Sequence, residues 1–223
     1  MTKISVVPDP RPKPQILPKY EARKHLQLPQ ETVILLSFGI NHGWKNYEVI
    51  FQAAQELSQN FLLLFVGKIR PFDAGQNDPR QLARSYDLAS KTIIVDEYIP
   101  EELISYYFCA ADTLIVSYRK DFMSHSSALM DAGQYGLPVI AIDTGSTGDD
   151  VRKYGLGLTF APDDPMSLRE ALLSFLKLGD EEKQSMEEGL RRYANTFSWD
   201  QVAKSHLGIY RILSESRRDN GET

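Results

Sequence analysis

The sequence predicts an α/β fold: a Rossmann-like parallel sheet with helices on both faces and further helices appended at the C-terminus. Three observations carry that expectation. Apolar runs of strand length recur at Val33–Phe38, Phe61–Val66, Thr92–Val95, Asp112–Ser117 and Val139–Ile142, each bounded by turn residues. Helical stretches separate them, the arrangement that crossovers between parallel strands require. Beyond Pro165 the strand signal stops and an all-helical pattern takes over.

Taken in order, residues 1–30 read as a proline-rich linker. Lys3–Val7 has the composition of a short strand, and Pro8, Pro10, Pro12, Pro14 and Pro18 then favour extended backbone. A tail lying across the domain surface is the equal alternative. The main domain is expected over residues 31–217. Its first strand ends at Gly39, and Asn46 caps a helix whose Val49, Ile50, Ala53, Ala54 and Leu57 share one face. Phe61–Val66 stops at Gly67, and a polar loop with Pro71, Gly75 and Pro79 leads to a helix near Arg80–Leu88. After Thr92–Val95, Pro100 opens a helix through Ala111, with Glu101 and Glu102 suited to its positive first turn. Strand Asp112–Ser117, helix Ser126–Tyr135 and strand Val139–Ile142 make a central βαβ unit, with Ser126 as N-cap. Gly145–Gly148 reads as a turn before a short helix capped by Asp149 and Asp150. Leu158–Phe160 adds a strand. Helices Met166–Leu178, Asp180–Thr196 and Trp199–Arg217 complete the domain, and residues 218–223 read as a disordered tail.

Composition narrows the function. A net charge of −5 over 223 residues makes the chain a poor candidate for binding a nucleic-acid backbone, which needs a basic face. The single cysteine, Cys109, sits in an apolar run and excludes an internal disulfide framework; it fits a reducing compartment. No stretch approaches a membrane span and no apolar signal-peptide core opens the chain. The expected location is cytoplasmic; a peripheral position at a membrane is the variant that the family resemblance described below implies. The four histidines show no metal-ligand spacing, so no metal is expected. A dinucleotide GxGxxG fingerprint, a Walker lysine motif and a glycine-flanked serine elbow are all missing.

Ligands of open parallel sheets bind at the carboxyl ends of the strands. Three loops converge there: Gly39–Lys45, Gly67–Pro71 and Tyr118–Ser126. The helix beginning at Ser126 offers free N–H groups and a positive dipole end to an anion, and phosphate is the natural guest. Lys45 can reach such a phosphate, or be an ordinary exposed lysine. Arg119 and Lys120 add positive potential, or are solvated surface charges. Asp131 can accept hydrogen bonds from vicinal hydroxyls such as those of a ribose, or simply favour a helix N-terminal half. Of the histidines, only His42 and His125 fall on these loops.

Several stretches, in order, resemble the C-terminal half of GT-B-fold glycosyltransferases of the group-one, retaining type. They are Lys3–Asp9, Val33–Gly39 followed by Lys45-Asn46, Phe61–Gly67, Asp96–Glu102 with Ala110-Ala111-Asp112, Gly136–Ala141, and Phe197–Asp200 leading to Tyr210. The resemblance implies one half of a GT-B fold that binds the donor, a nucleotide-diphosphate sugar with UDP or GDP unresolved, and no cofactor. It implies that Gly39 and Lys45 border the diphosphate and that N–H groups of Ser126 and Ser127 cap its distal phosphate. Asp131 would hold the ribose, and Val95–Tyr98, with Tyr98, would border the base. Two positions depart from the family: Met123 stands where it has the first glutamate of Glu-x7-Glu, and Ile40 where it has an arginine. The acceptor is expected from an N-terminal domain or a separate subunit, because transfer needs both reactants held together. The chain alone is expected to bind a nucleotide sugar and to turn over little or not at all. The alternatives are a non-catalytic glycosyltransferase-like partner subunit and, further off, a sugar-nucleotide epimerase half.

Overall fold

The computed structural model describes residues 7–40, 43–70 and 77–219. Six parallel strands form one sheet: β1 (Val33–Phe38), β2 (Phe61–Val66), β3 (Thr92–Val95), β4 (Thr113–Val116), β5 (Val139–Ile142) and β6 (Gly157–Phe160). Their spatial order is β3-β2-β1-β4-β5-β6. The chain therefore winds outward from β1 in one direction, crosses the sheet after β3, and winds outward again from β4. Right-handed crossovers place α2 (Tyr47–Gln55) and α3 (Pro79–Ser85) on one face, and α4 (Glu101–Ala110), α5 (Ser127–Tyr135) and α6 (Gly145–Tyr154) on the other. Helix α7 (Pro165–Leu176) packs beside α2, and α8 (Asp180–Thr196) packs beside α5.

The sequence dictates this sandwich directly. A sheet covered on both faces needs strands without alternation, and every residue of β2, β4 and β5 is buried. Ile34, Leu36, Leu63, Leu64, Leu114 and Ile140 form the centre of the core. At the ends of helices, Asp78 and Asp164 cap α3 and α7 with their carboxylates, and Pro79 and Pro165 take the first helical positions. Asn46 sits at the cap position of α2 without capping it. Its amide donates instead to Asp163 Oδ1 at 2.9 Å.

Three segments differ from the sequence expectation. The proline-rich stretch contains helix α1 (Lys19–His25), packed on α4. Its Arg23 is almost fully buried, donating to Ala110 O at 2.9 Å and to Asp112 Oδ2 at 2.7 Å. Before it, residues 7–18 lie against the domain: Arg11 N–H donates to Phe197 O at 2.8 Å. The expected strand Lys3–Val7 falls, apart from Val7, outside the described residues. Gly145–Gly148 is not a turn but the first turn of α6, because its small residues let the helix settle onto Asp143. A Cβ on Gly148 would lie 2.5 Å from Asp143 Oδ1. Finally, the last helix, α9 (Trp199–Asp219), runs past the expected start of the tail at 218, while residues 220–223 are outside the described set. Val202 anchors α9, whereas Leu207, Tyr210, Ile212 and Leu213 are exposed. Among the described residues no helix is long and apolar enough to cross a membrane.

Candidate functional site

The switch in winding direction falls between β1 and β4, and at such a point the carboxyl edge of an open parallel sheet forms its crevice. Two glycines end the strands on one side of it. Gly39 N–H donates to Val66 O and Gly67 N–H to Val95 O, both at 2.9 Å, so the ladder runs to its last residue. Both have positive φ, +105° and +137°, and a Cβ on Gly67 would stand 2.3 Å from Gly39 O. Only glycine allows the two loops to approach this closely.

The loop after Gly39 returns to pair with the end of β4. Lys45 and Tyr118 form an isolated antiparallel bridge. Asn46 N–H donates to Ser117 O at 3.2 Å, Ser117 Oγ donates to Asn46 O at 2.6 Å, and Arg119 N–H donates to Trp44 O at 2.8 Å. The Asn77 amide clamps the other side, donating to Lys45 O at 2.7 Å and accepting from Tyr47 N–H at 2.8 Å. Lys45 is thereby fixed by its backbone, and its side chain points inward.

That side chain is only 6% exposed. Its ammonium donates to Phe38 O at 2.7 Å and lies 5.5 Å and 5.9 Å from the ring centroids of Tyr118 and Tyr47. Among the described residues no carboxylate pairs with it, although a buried cation ordinarily requires one. Burial pushes the ammonium down to about 8.

The tip of α5 faces the same ring. Ser126 Oγ accepts from Leu129 N–H at 3.2 Å as N-cap, and shares a 3.0 Å hydrogen bond with Tyr118 Oη. Tyr118 is held in turn by stacking on Phe122, with centroids 3.9 Å apart. Tyr118 thus joins the two halves of the crevice, Lys45 over its face and Ser126 at its hydroxyl. Ser127 and Ala128 open the first turn of α5, so their N–H groups have no intrahelical acceptor. Ser127 is exposed.

Asp131 lies one turn further along α5, about 6 Å along its axis from Ser127. Its carboxylate is three-quarters buried and makes one charged contact, to Arg11 Nε at 3.8 Å. Burial raises its proton affinity and the Arg11 charge opposes that rise. A cavity of about 710 Å³ opens beside it, between α4, α5 and residues 11–15, lined by Arg11, Lys13, Ile99, Glu101, Asp131 and Gln134 among others.

The structure therefore brings Gly39, Lys45, Ser126 and Ser127 together, with Asp131 on the next turn. Arg119 and Lys120 are exposed on the loop that follows Tyr118. Tyr98 is 65% exposed on the loop between β3 and α4, next to Ile99 of the Asp131 cavity. Met123 is exposed and lies against Gly145. His125 reaches Asp150 at 3.6 Å, and His42 lies outside the described residues. Sequence reasoning missed Tyr118 and Arg11. A tyrosine ending a buried strand carries a hydroxyl that needs a partner, which was the available signal for the first. Among the described residues no group of three or more His, Cys, Asp or Glu side chains is placed to hold a metal ion.

The family model for glycosyl transferases group 1 matches residues 18–193. The chain belongs to the group 1 glycosyl transferases. A similar curated protein is the D-inositol 3-phosphate glycosyltransferase of Acidothermus cellulolyticus, 26% identical over 207 residues, covering 88% of this chain and 45% of that protein. Among solved structures, sucrose-phosphate synthase from Thermosynechococcus elongatus superposes with a TM-score of 0.79 at 27% identity, covering 94% of this chain and 52% of that one. HepE from Anabaena in complex with UDP superposes with a TM-score of 0.74 at 15% identity, covering 88% and 52%, a likeness of fold. This group 1 domain spans about half the length of the relatives it matches and corresponds to the C-terminal half of a GT-B enzyme.

Proposed function

We propose that this domain binds the donor of a sugar-transfer reaction, a nucleotide-diphosphate sugar, and that the complete enzyme moves the sugar to an acceptor held by an N-terminal half. The observation that carries the reading is Lys45: a nearly fully buried ammonium that has no carboxylate partner among the described residues, in the same cluster as the N-terminal tip of α5. Keeping such a charge costs stability, and a diphosphate at the N–H groups of Ser127 and Ala128 would supply the missing negative charge. Asp131, with its acceptor sites unspent, would take the ribose hydroxyls. As the sugar leaves, negative charge grows on the departing diphosphate, and the same cation and helix dipole stabilise it there.

The bound UDP of the HepE neighbour makes UDP the first nucleotide to test. Calorimetric titration of the chain with UDP, GDP, ADP and their sugars is expected to show one preferred nucleoside diphosphate. Failure of all of them at millimolar concentration would overturn the reading. A second reading, a non-catalytic partner subunit, is favoured by Met123, which places a thioether where the family has a carboxylate. Loss of nucleotide binding in Asp131→Ala supports donor binding against it; unchanged binding supports the subunit.

A further inference from the structure

We propose that Arg11 is a positioning residue of the donor site: carried on the proline-braced leading segment, it orients the Asp131 carboxylate toward the ribose hydroxyls of a bound nucleoside diphosphate. The inference rests on the donor reading above and adds a residue from outside the Rossmann-like body. Arg11 is held from three directions. Its N–H donates to Phe197 O at 2.8 Å, its Nη2 reaches Met130 Sδ at 3.9 Å, and its Nε faces Asp131 Oδ1 at 3.8 Å. Pro10 and Pro12 flank it, with Pro8 and Pro14 beyond, so the backbone that delivers it has few alternatives to lose.

The geometry is that of an orienting charge, not a blocking one. At 3.8 Å the pair is attractive but not hydrogen-bonded, and Arg11 Nε is buried with no hydrogen-bond partner among the described residues. An ionised carboxylate has about four lone-pair sites, so two ribose hydroxyls and an arginine can share it. The cavity beside the pair, about 710 Å³, has room for a nucleoside. The other charged or titratable groups around it are Glu101 and Glu102 of α4, Lys13 of the leading segment and Tyr135 of α5 itself. The two glutamates disfavour a further negative charge, which leaves Arg11 as the cation in contact with it. Burial raises the proton affinity of Asp131 and Arg11 opposes the rise, so losing Arg11 would let the carboxyl protonate at higher pH.

The test uses the whole chain and two ligands, UDP and 2′,3′-dideoxy-UDP, or the GDP or ADP pair if one of those binds better. Arg11→Gln is expected to weaken UDP about tenfold while leaving the dideoxy ligand within about twofold, and its UDP affinity should begin to fall at a higher pH on acidification. Arg11→Lys, which keeps the charge, should recover part of the loss. Equal losses for both ligands would reduce Arg11 to a structural anchor, and tighter UDP binding by Arg11→Gln would make it a latch that competes with the ribose; either overturns the proposal. Should Arg11→Gln lose its circular-dichroism signature of folding, the comparison of the two ligands on Arg11→Lys decides in the same way. If the wild-type chain binds no nucleoside diphosphate, the donor reading fails by itself. The carboxyl titration of Asp131 followed by NMR then judges the pair: a shift upward in the Arg11 variant supports the coupling, and an unchanged curve removes it.

Discussion

Lys45→Met separates the cost of the buried ammonium from its use. Moving a lysine from its ordinary value of 10.5 to about 8 corresponds to roughly 3 kcal/mol spent on keeping it charged in the folded state. Methionine retains most of the stem. It forfeits the hydrogen bond to Phe38 O, worth about 1 kcal/mol, and a ring attraction of about 0.5–1 kcal/mol. The balance favours the variant by on the order of 1 kcal/mol, a rise in Tm of about 2–4 °C for a domain of this size. UDP affinity should fall about 10- to 100-fold, as expected when a charged hydrogen-bond donor to phosphate is removed. Thermal and urea unfolding without ligand read the first effect and calorimetry the second. The sign with pH is fixed. The folded lysine lies below its unfolded value, so between about 8 and 10.5 the unfolded chain holds more protons and the wild type gains stability as pH rises. That gain is lost as pH falls through about 8, and Lys45→Met should lack it. UDP binding by the wild type should weaken above the same point as the ammonium discharges. A variant destabilised by about 2 kcal/mol or more with unchanged UDP affinity would show that Lys45 is a structural lysine, and the reasoning would be wrong.

Three further outcomes are expected. Asp131→Asn should weaken UDP about tenfold and abolish the preference for UDP over its 2′,3′-dideoxy analogue, measured by calorimetry. Ser126→Ala removes the cap on Leu129 N–H and leaves Tyr118 Oη without its partner, so urea unfolding should show a loss of about 1–2 kcal/mol. Gly67→Ala forces a Cβ against Gly39 O at a φ of +137°, and should cost about 2 kcal/mol or more while weakening UDP by displacing the Gly39 loop.

Local signals made the sheet legible. Strands β1, β2, β3 and β5 and helix α8 occupy the stretches that apolar continuity and helical period assign to them. The Ser126 cap was readable because a hydroxyl before an apolar helical run has few other uses. Helix α1 was not, because five prolines precede it and its reasons lie elsewhere: Ala22 and Arg23 are buried against α4, and the partners of Arg23 include Asp112. The glycine and hydroxyl run at Gly145 imitates a turn, since the demand for small residues comes from the contact with Asp143. In the crevice, Lys45 and Asp131 could be nominated from position, but their burial could not. Nor could the contact between Arg11 and α5, whose members lie over a hundred residues apart, as the 119-residue separation of Arg11 from Met130 shows.

The bridge between the Lys45 loop and the end of β4 also bears on how the polypeptide is made. Ser117 and Asn46 are 71 residues apart, and Ile34 N–H and Asp112 Oδ2 are 78 apart, so the first strand waits for a distant neighbour after pairing with a near one. Contacts this remote form late, because a long loop must close before they repay it. A nascent chain that has left the ribosome only as far as β3 therefore has half a sheet with an open edge and no pocket. On the donor reading proposed above, nucleotide capture would report that the second winding has docked, a clock for the late stages of folding.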